Sequence, residues 1–386
     1  MEEVDILFVG GSFPMPKAGG SINYVSHLLT GIDDMSYAVL TADLEHDNNL
    51  EYDANFGHRI IRSRFLAHVL DQNPGGFVKR NLILLLSIFE AAWKILAIRP
   101  RCVFYTDFSL LCFSFLLARP FFKFKMGIFT YSEEISQVRT LHLQPHFFLL
   151  RYILKHSDGV VAVCHYTKNQ LCDFVNGIED KISIIIPPVD IPKNVVKDKN
   201  CSDVVRLLTV ARLEERKGHC DVLDALKRLL SNYPSIKYVI IGAGHYQKII
   251  EQRVKELGLE SVVEMKGRVS DAELEYAYNN SDIFVMPHKL LKDGDTEGCP
   301  TVFLEAGLHF LPVIGGEAGG VSDAILDGET GYICHEGTDE LYTYLDRLIG
   351  DELLRGEMGE VGNKYASLFS TKEQGEKFKT FVVKLL

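Results

Sequence analysis

Short, almost uninterrupted apolar runs alternate along the chain with stretches long enough for helices. The runs fall at 4–10, 102–106, 125–130, 159–164 and 182–186, and again at 206–211, 237–242, 262–267, 283–287 and 311–315. A run that is apolar at odd and even positions alike suits a strand buried on both faces, and helix-length spacing between strands suits crossover connections. The pattern therefore predicts an α/β chain built on parallel sheets covered on both sides. Pro187-Pro188 and the polar stretch 193–203 interrupt the alternation between the two sets of runs, so two sheets in two domains are expected. The expected boundaries are 1–190, a linker at 191–203, a second domain at 204–368 and a terminal helix at 369–386, with a pocket between the domains as the default binding site.

Composition narrows the class. A chain of 386 residues is long enough for two domains with their own cores. Its 47% hydrophobic and 24% charged residues are those of a water-soluble globular protein. Eight cysteines at irregular spacing, with no Cys-x-x-Cys, argue against a disulfide framework and against zinc, and suit a reducing cytoplasm. The acidic start Met1-Glu2-Glu3-Val4-Asp5 does not read as a secretory signal.

The net charge of −11 conceals an asymmetry. Residues 59–155 hold 14 Lys and Arg against 5 Asp and Glu, a net of +9, which leaves −20 for the rest. Phe121, Phe122, Phe124, Phe147 and Phe148 interleave there with Arg119, Lys123, Lys125 and Arg151. The stretch 139–156 is expected as a basic, partly apolar helix able to lie on an anionic membrane, which makes 59–156 the candidate for peripheral contact. The alternative is that these aromatics are core and the cations rim it. No uncharged run reaches the roughly 18 residues of a membrane span; 82–98 is interrupted by Glu90 and Lys94. The negative net charge excludes nucleic acid as the expected partner.

The chemistry concentrates in Asp295-Thr296-Glu297-Gly298-Cys299-Pro300-Thr301-Val302-Phe303-Leu304-Glu305. Pro300 suits the first position of a helix, and the small Gly298 and Cys299 let a ligand approach the backbone. The N–H groups of Thr301 and Val302 would then face an anion such as phosphate. Were Glu297 and Glu305 on one helix they would lie about 12 Å apart, wider than the roughly 5–9.5 Å of a glycosidase carboxyl pair. They suit hydroxyl groups at the two ends of a long ligand, as in a nucleotide sugar. A second block, Arg206-Leu207-Leu208-Thr209-Val210-Ala211-Arg212 followed by Leu213-Glu214-Glu215-Arg216-Lys217-Gly218, reads as a strand whose carboxyl end presents Arg212 and Lys217 to a diphosphate.

Other signals are set aside. Asp293-Gly294-Asp295 reads as a loop rather than a metal site, because it ends no apolar strand and adjoins Lys292. Gly242-Ala243-Gly244-His245-Tyr246-Gln247, with Glu264 beyond, lacks the third glycine of a dinucleotide fingerprint. A nicotinamide-dependent oxidoreductase is thus the distant alternative, and it leaves Arg212, Lys217, Glu297 and Glu305 unused. The thirteen histidines show no ligand spacing, and His309 is expected packed or exposed.

These blocks together resemble the retaining glycosyltransferases of family four. The matching residues are Ala-Arg-Leu-x-x-x-Lys-Gly at 211–218, Ile241-Gly242-Ala243-Gly244, Lys266-Gly267-Arg268-Val269, and Glu297 and Glu305 with seven residues between them. Pro312-Val313-Ile314, Gly319-Gly320 and Gly328-Glu329-Thr330-Gly331-Tyr332 complete the set. The resemblance covers about 180–340, with Gly19-Gly20-Ser21 as a weaker match upstream. It implies the GT-B fold, two Rossmann-like doubly wound domains facing an interdomain cleft, with the terminal helix returning to the first domain.

It implies roles as well. Arg212 and Lys217 would hold the diphosphate, Glu297 the transferred sugar, Glu305 the ribose and the backbone around Val269 the base. Gly19, Gly20, Gly242, Arg268, Gly298, Cys299, Pro300, Thr301 and Val302 complete the donor-binding set, Gly20 giving its N–H to phosphate. Where the family carries a histidine after the strand at 125–130, this chain continues Tyr131-Ser132-Glu133-Glu134. Ser132 takes that place, with Glu133 as a candidate catalytic carboxylate and Tyr131, Glu133 and Glu134 facing the acceptor. The implied activity is metal-independent, retaining transfer of a hexose, glucose from UDP-glucose as the first expectation, to a glycan or lipid-linked saccharide in surface polysaccharide synthesis. No cofactor is expected. A small soluble acceptor, or a sugar-nucleotide-binding protein without turnover, are the alternatives.

Overall fold

Strands whose side chains are apolar on both faces need cover on both faces, and the first sheet supplies it. Its seven strands are β1 Ile6–Val9, β2 Tyr37–Ala42, β3 Arg59–Ser63, β4 Cys102–Tyr105, β5 Lys125–Thr130, β6 Gly159–Ala162 and β7 Ile182–Ile184. They pair in parallel in the order β3-β2-β1-β4-β5-β6-β7. The second sheet has six parallel strands in the order β10-β9-β8-β11-β12-β13. These are β8 Arg206–Val210, β9 Lys237–Ile241, β10 Val263–Gly267, β11 Ile283–Met286, β12 Val313–Gly316 and β13 Gly331–Cys334. The architecture comes from a computed structural model, which describes residues 4–10, 20–32, 34–43, 53–54, 56–69, 77–132, 135, 145–192, 195, 204–291, 296–335 and 338–386.

The chain forms two compact units, Met1–Pro188 with Thr371–Leu385 and Leu386, and Val189–Ser370. Val189, two residues before the boundary expected from sequence, already bridges to Ser370 in the second unit. Most of the expected linker at 191–203 lies outside the described residues.

Three strands escaped the sequence pattern. β3 reads Arg-Ile-Ile-Arg-Ser and sits at the sheet edge with its side chains mostly part-exposed, so it carries cations where a central strand cannot. β2 follows a polar turn and carries Thr41 within an otherwise apolar, fully buried run, and β13 opens on Gly331 at an edge of the second sheet.

The terminal helix Thr371–Leu385 belongs to the first unit because of its aromatic face. Phe378 packs on Phe104 (4.9 Å between ring centroids), Phe129 (5.7 Å) and Phe8 (6.0 Å), and Phe381 adds Phe104 at 6.2 Å. Burying each of these rings contributes about 2–3 kcal/mol. Gly375 permits the approach: a Cβ there would stand 2.4 Å from the carbonyl oxygen of Gly31. Gln374 Oε1 accepts the Ile186 N–H at 3.1 Å.

Candidate functional site

In the second sheet the chain winds outward from β8 through β9 to β10, then returns to place β11 on the other side of β8. The reversal parts the loops that leave the carboxyl ends of β8 and β11, and such a crevice is where open α/β sheets bind ligands. The β8 loop carries Arg212 and Lys217. The segment after β11 leads through His288 to Glu297 and the helix Val302–Leu308.

Glycines bring these loops together. Gly218 has φ +74°, and a Cβ on it would lie 2.2 Å from the carbonyl oxygen of Pro287, so the Lys217 turn presses directly on the end of β11. Gly242 (φ +137°) would place a Cβ 1.8 Å from Ala211 O. Its N–H donates to Gly267 O at 2.8 Å. The Gly-Ala-Gly turn, whose Gly242 was expected in the donor-binding set, thus packs beneath the Arg212 loop with the Gly242 N–H engaged by Gly267 O. Gly319 (φ +58°) presents its α-carbon to Glu297, whose carbonyl oxygen would be 1.7 Å from an added Cβ.

The result is an ionic chain. Glu214 receives Arg212 Nη1 at 2.7 Å and Arg216 Nη2 at 2.9 Å. Arg216 and Lys217 in turn both donate to Glu297 Oε1. Three cations and two carboxylates leave a net of +1, suited to an anion with more than one negative charge. Arg216 and Lys217 are buried, whereas Arg212 keeps 71% of its side chain exposed and, among the described residues, reaches the ionic chain through Glu214. Burial alone would push the Glu297 carboxyl up, but Lys217 and then Arg216 hold it down at about 2. Burial lowers the Lys217 ammonium, and Glu297 counters it.

His288 lies behind Glu297, buried, with Nε2 3.0 Å from Ala318 O. Gly316 N–H points at its Nδ1 from 3.4 Å. Burial lowers its pKa against the pull of Glu297, so the ring is neutral at neutral pH and donates from Nε2 to the 316–320 loop. Glu305, in the first turn of its helix, accepts from Tyr278 Oη at 3.0 Å and from Thr301 Oγ1 at 3.1 Å. Tyr278 stacks on His309 at 5.0 Å, and His309 Nδ1 lies 2.8 Å from Asn279 Oδ1. His309 is therefore packed.

Several expectations change. Pro300 does not open the helix: Phe303 N–H bonds to Pro300 O at 3.3 Å, and the helix starts at Val302, one residue after Thr301. Glu297 precedes it, so the two carboxylates do not share a helix. Thr301 and Val302 N–H meet no acceptor among the described residues; Gly298 and Cys299 are half-buried between them and Glu297. Arg268 is exposed and Val269 half-buried at the end of β10, just before the Ser270–Glu273 capping box that starts the next helix.

In the first unit, Ser132 is buried and bonded to Thr167 Oγ1 at 2.7 Å, and Thr167 in turn contacts Cys164 Sγ, the N-cap of His165–Phe174. Ser132 therefore braces that helix start. Tyr131 is half-buried, its hydroxyl 3.3 Å from Thr106 O. Gly20 is the first residue of the helix Gly20–Thr30. Gly19, Glu133, Glu134 and Asp293-Gly294-Asp295 lie outside the described residues. The sequence reading missed Glu214, Arg216, His288 and Tyr278. The first two stood in motif positions taken as variable, and a polar residue straight after the apolar run 283–287 was the available signal for His288.

The profile of the family described as Glycosyl transferases group 1 matches residues 192–365, the span that holds the entire ionic chain. Those residues belong to the glycosyl transferases group 1 family. Curated relatives of the group 1 domain include a GDP-mannose-dependent alpha-(1-6)-phosphatidylinositol monomannoside mannosyltransferase of Mycolicibacterium smegmatis, 28% identical over 56% of this chain and 59% of that protein. Another is the amylovoran biosynthesis glycosyltransferase AmsK of Erwinia amylovora, 32% identical over 34% of this chain and 33% of the relative. The chain thus spans about a third to three fifths of the length of these relatives. Among solved structures, the apo lipopolysaccharide outer core galactosyltransferase WaaB superposes with a TM-score of 0.74 at 18% identity, over 99% of each chain. Anabaena HepE in complex with UDP gives 0.75 at 15% identity, over 99% of this chain and 100% of its own. At such identities the likeness shows the fold, which is GT-B.

Proposed function

We propose that the protein is a retaining, metal-independent glycosyltransferase that moves a hexose from a nucleoside diphosphate to a hydroxyl of a growing glycan or lipid-linked saccharide in the cytoplasm. The observation that carries this reading is the ionic chain Arg212–Glu214–Arg216–Glu297–Lys217 at the carboxyl ends of β8 and β11. Transfer cleaves the bond between the sugar's anomeric carbon and a diphosphate oxygen, and the negative charge that develops there needs fixed cations nearby. Arg212 and Lys217 meet that need. Glu297, held ionised by Lys217 and Arg216, accepts hydrogen bonds from the sugar, and Glu305 accepts them from the ribose. The acceptor hydroxyl attacks the same face that the diphosphate leaves, and its proton passes to the departing phosphate oxygen, so no enzyme nucleophile takes part.

For the donor, UDP-glucose remains the first reading, and GDP-mannose is the second, favoured by the GDP-mannose dependence of the Mycolicibacterium smegmatis relative. That relative's phosphatidylinositol acceptor, and the polysaccharide named for AmsK, support a lipid-linked or polymeric acceptor. The test is a thermal-shift and donor-hydrolysis panel of UDP- and GDP-sugars, with and without a strong chelator. A ligand at a hundred times its Kd raises apparent stability by about 2.7 kcal/mol, so one nucleotide should stand out. No shift with any nucleotide, or hydrolysis that disappears with chelator and returns with magnesium, would contradict the reading.

A further inference from the structure

The first unit carries a helix, Phe77–Ile98, with its apolar side turned outward as well as inward. Inward, Ile88, Ala91 and Ile95 join the core over the sheet, and Glu90 turns to Ser63 Oγ. Outward stand Leu82, Leu85, Leu86, Phe89 and Trp93, between 39% and 68% exposed. Their spacing of three and four residues makes one continuous stripe, the place where a helix of a water-soluble domain carries its polar residues. Ile88, Phe115 and Leu150 come from three successive helices and share one core cluster, so these helices form one layer on one face of the sheet. Two further aromatics of the first unit are exposed, Phe121 at 74% in the turn after Ser114–Ala118 and Phe148 at 62% on Pro145–His156.

Charge indicates what covers this face. Exposed cations border it: Lys79 near the start of the helix, Arg99 just past its end, Lys123 beside Phe121, and Lys155 on Pro145–His156. None of the four has a carboxylate partner among the described residues. The surrounding stretch 59–155 carries +9 in a chain of −11. A second copy docked face to face would set these cations against each other. An anionic bilayer would pair them with lipid headgroups while the stripe entered the acyl boundary. The helix meets the length and composition of a membrane span, but spanning would tear Ile88, Ala91 and Ile95 out of the core.

We infer that Phe77–Ile98 lies in the plane of an anionic membrane surface, with Leu82, Leu85, Phe89 and Trp93 inserted and Lys79, Arg99, Lys123 and Lys155 on the headgroups. This centres the contact on Phe77–Ile98, within the 59–156 stretch expected from sequence, with the 139–156 segment contributing Lys155. Of that segment, Pro145–His156 is helical and buries Leu150, Ile153 and Leu154. The inference deepens the proposed function, since it rests on that reading for the purpose of the contact, namely access to a lipid-linked acceptor.

The chain has a single tryptophan, and it is Trp93, so its emission reports insertion directly. The full chain is mixed at low salt with vesicles of phosphatidylglycerol or of phosphatidylcholine, and emission and co-sedimentation are recorded. The expected result is a blue shift and pelleting with phosphatidylglycerol only, both reversed at about 0.5 M salt. The double variant Leu85→Ser/Phe89→Ser, altered only at exposed positions, should keep its circular dichroism and lose at least about tenfold in partitioning. Absence of a blue shift with phosphatidylglycerol overturns the inference, and so does a serine variant that pellets as well as the parent. A concentration-dependent blue shift without lipid would assign the face to a second copy instead. Donor hydrolysis in free solution is measured alongside: its absence would count against the transferase reading, whereas vesicle binding stands or falls by itself.

Discussion

Replacing Glu297 with glutamine removes the carboxylate that Arg216 and Lys217 share while keeping its size. In the folded protein the carboxyl is held at about 2, against 4.5 when unpaired, despite burial that opposes ionisation. A gap of about 2.5 units corresponds to roughly 3 kcal/mol of folding stability. Because the folded value lies below the unfolded one, this contribution is complete above the unfolded pKa and is lost as pH falls toward 2. The variant lacks it at every pH and also leaves two buried cations facing a neutral amide, so its deficit at pH 7 should reach about 3–5 kcal/mol.

Urea unfolding of both proteins, followed by far-ultraviolet circular dichroism at pH 7 and pH 3, measures this. Trp93 lies in the first unit, so its emission follows that unit and circular dichroism is needed for the second. The part of the deficit that titrates should shrink from about 3 kcal/mol at pH 7 to about 1 kcal/mol at pH 3. A deficit below about 1 kcal/mol at pH 7, or one of the same size at both pH values, would refute the assignment of Glu297 as the ionised centre of the cluster.

Arg212→Ala should cut turnover about a hundredfold while moving Tm by no more than a degree or two, since the side chain is 71% exposed and its ion pair contributes little. Arg216→Ala strips a buried partner from two carboxylates and should destabilise by about 3 kcal/mol; equal melting temperatures for the two variants would contradict the division of labour. Gly319→Ala forces a side chain into the Glu297 carbonyl at φ +58° and should cost about 2–4 kcal/mol, whereas Gly328→Ala, at φ +77° with open space around it, should cost about 1 kcal/mol, both read by urea unfolding. Tyr278→Phe removes the hydroxyl that orients Glu305 and should raise the donor KM about five- to tenfold with kcat changed less than twofold; an unchanged KM would detach Tyr278 from the donor site.

Ten apolar runs sufficed to place most of the strands, because a strand covered on both faces must be apolar at consecutive positions wherever it lies in the sheet. The same argument failed for β3 and β13, edge strands where cations or a glycine are tolerated, and it passed over β2, which is buried along its whole length. The motif blocks at 211–218 and 295–305 were legible because a loop that turns sharply at the end of a strand needs its glycines, its proline and its charges at set positions.

The partnerships within the candidate site were not legible in this way. That Arg216 reaches Glu297, 81 positions away in sequence, depends on β11 returning to the far side of β8, and no local spacing encodes that return. Ser132 looked available because it follows a strand, yet the helix start at Cys164–Thr167 receives its hydroxyl. Helix Phe77–Ile98 read as an apolar run broken by two charges, and only the layering of helices over the sheet showed which side of it the core leaves uncovered. Periodicity and turn chemistry act between near neighbours in the chain, so sequence alone determined the elements and the positions of the motifs. Burial and ion pairing act between neighbours in space, so the identity of each partner was decided only when the chain had folded.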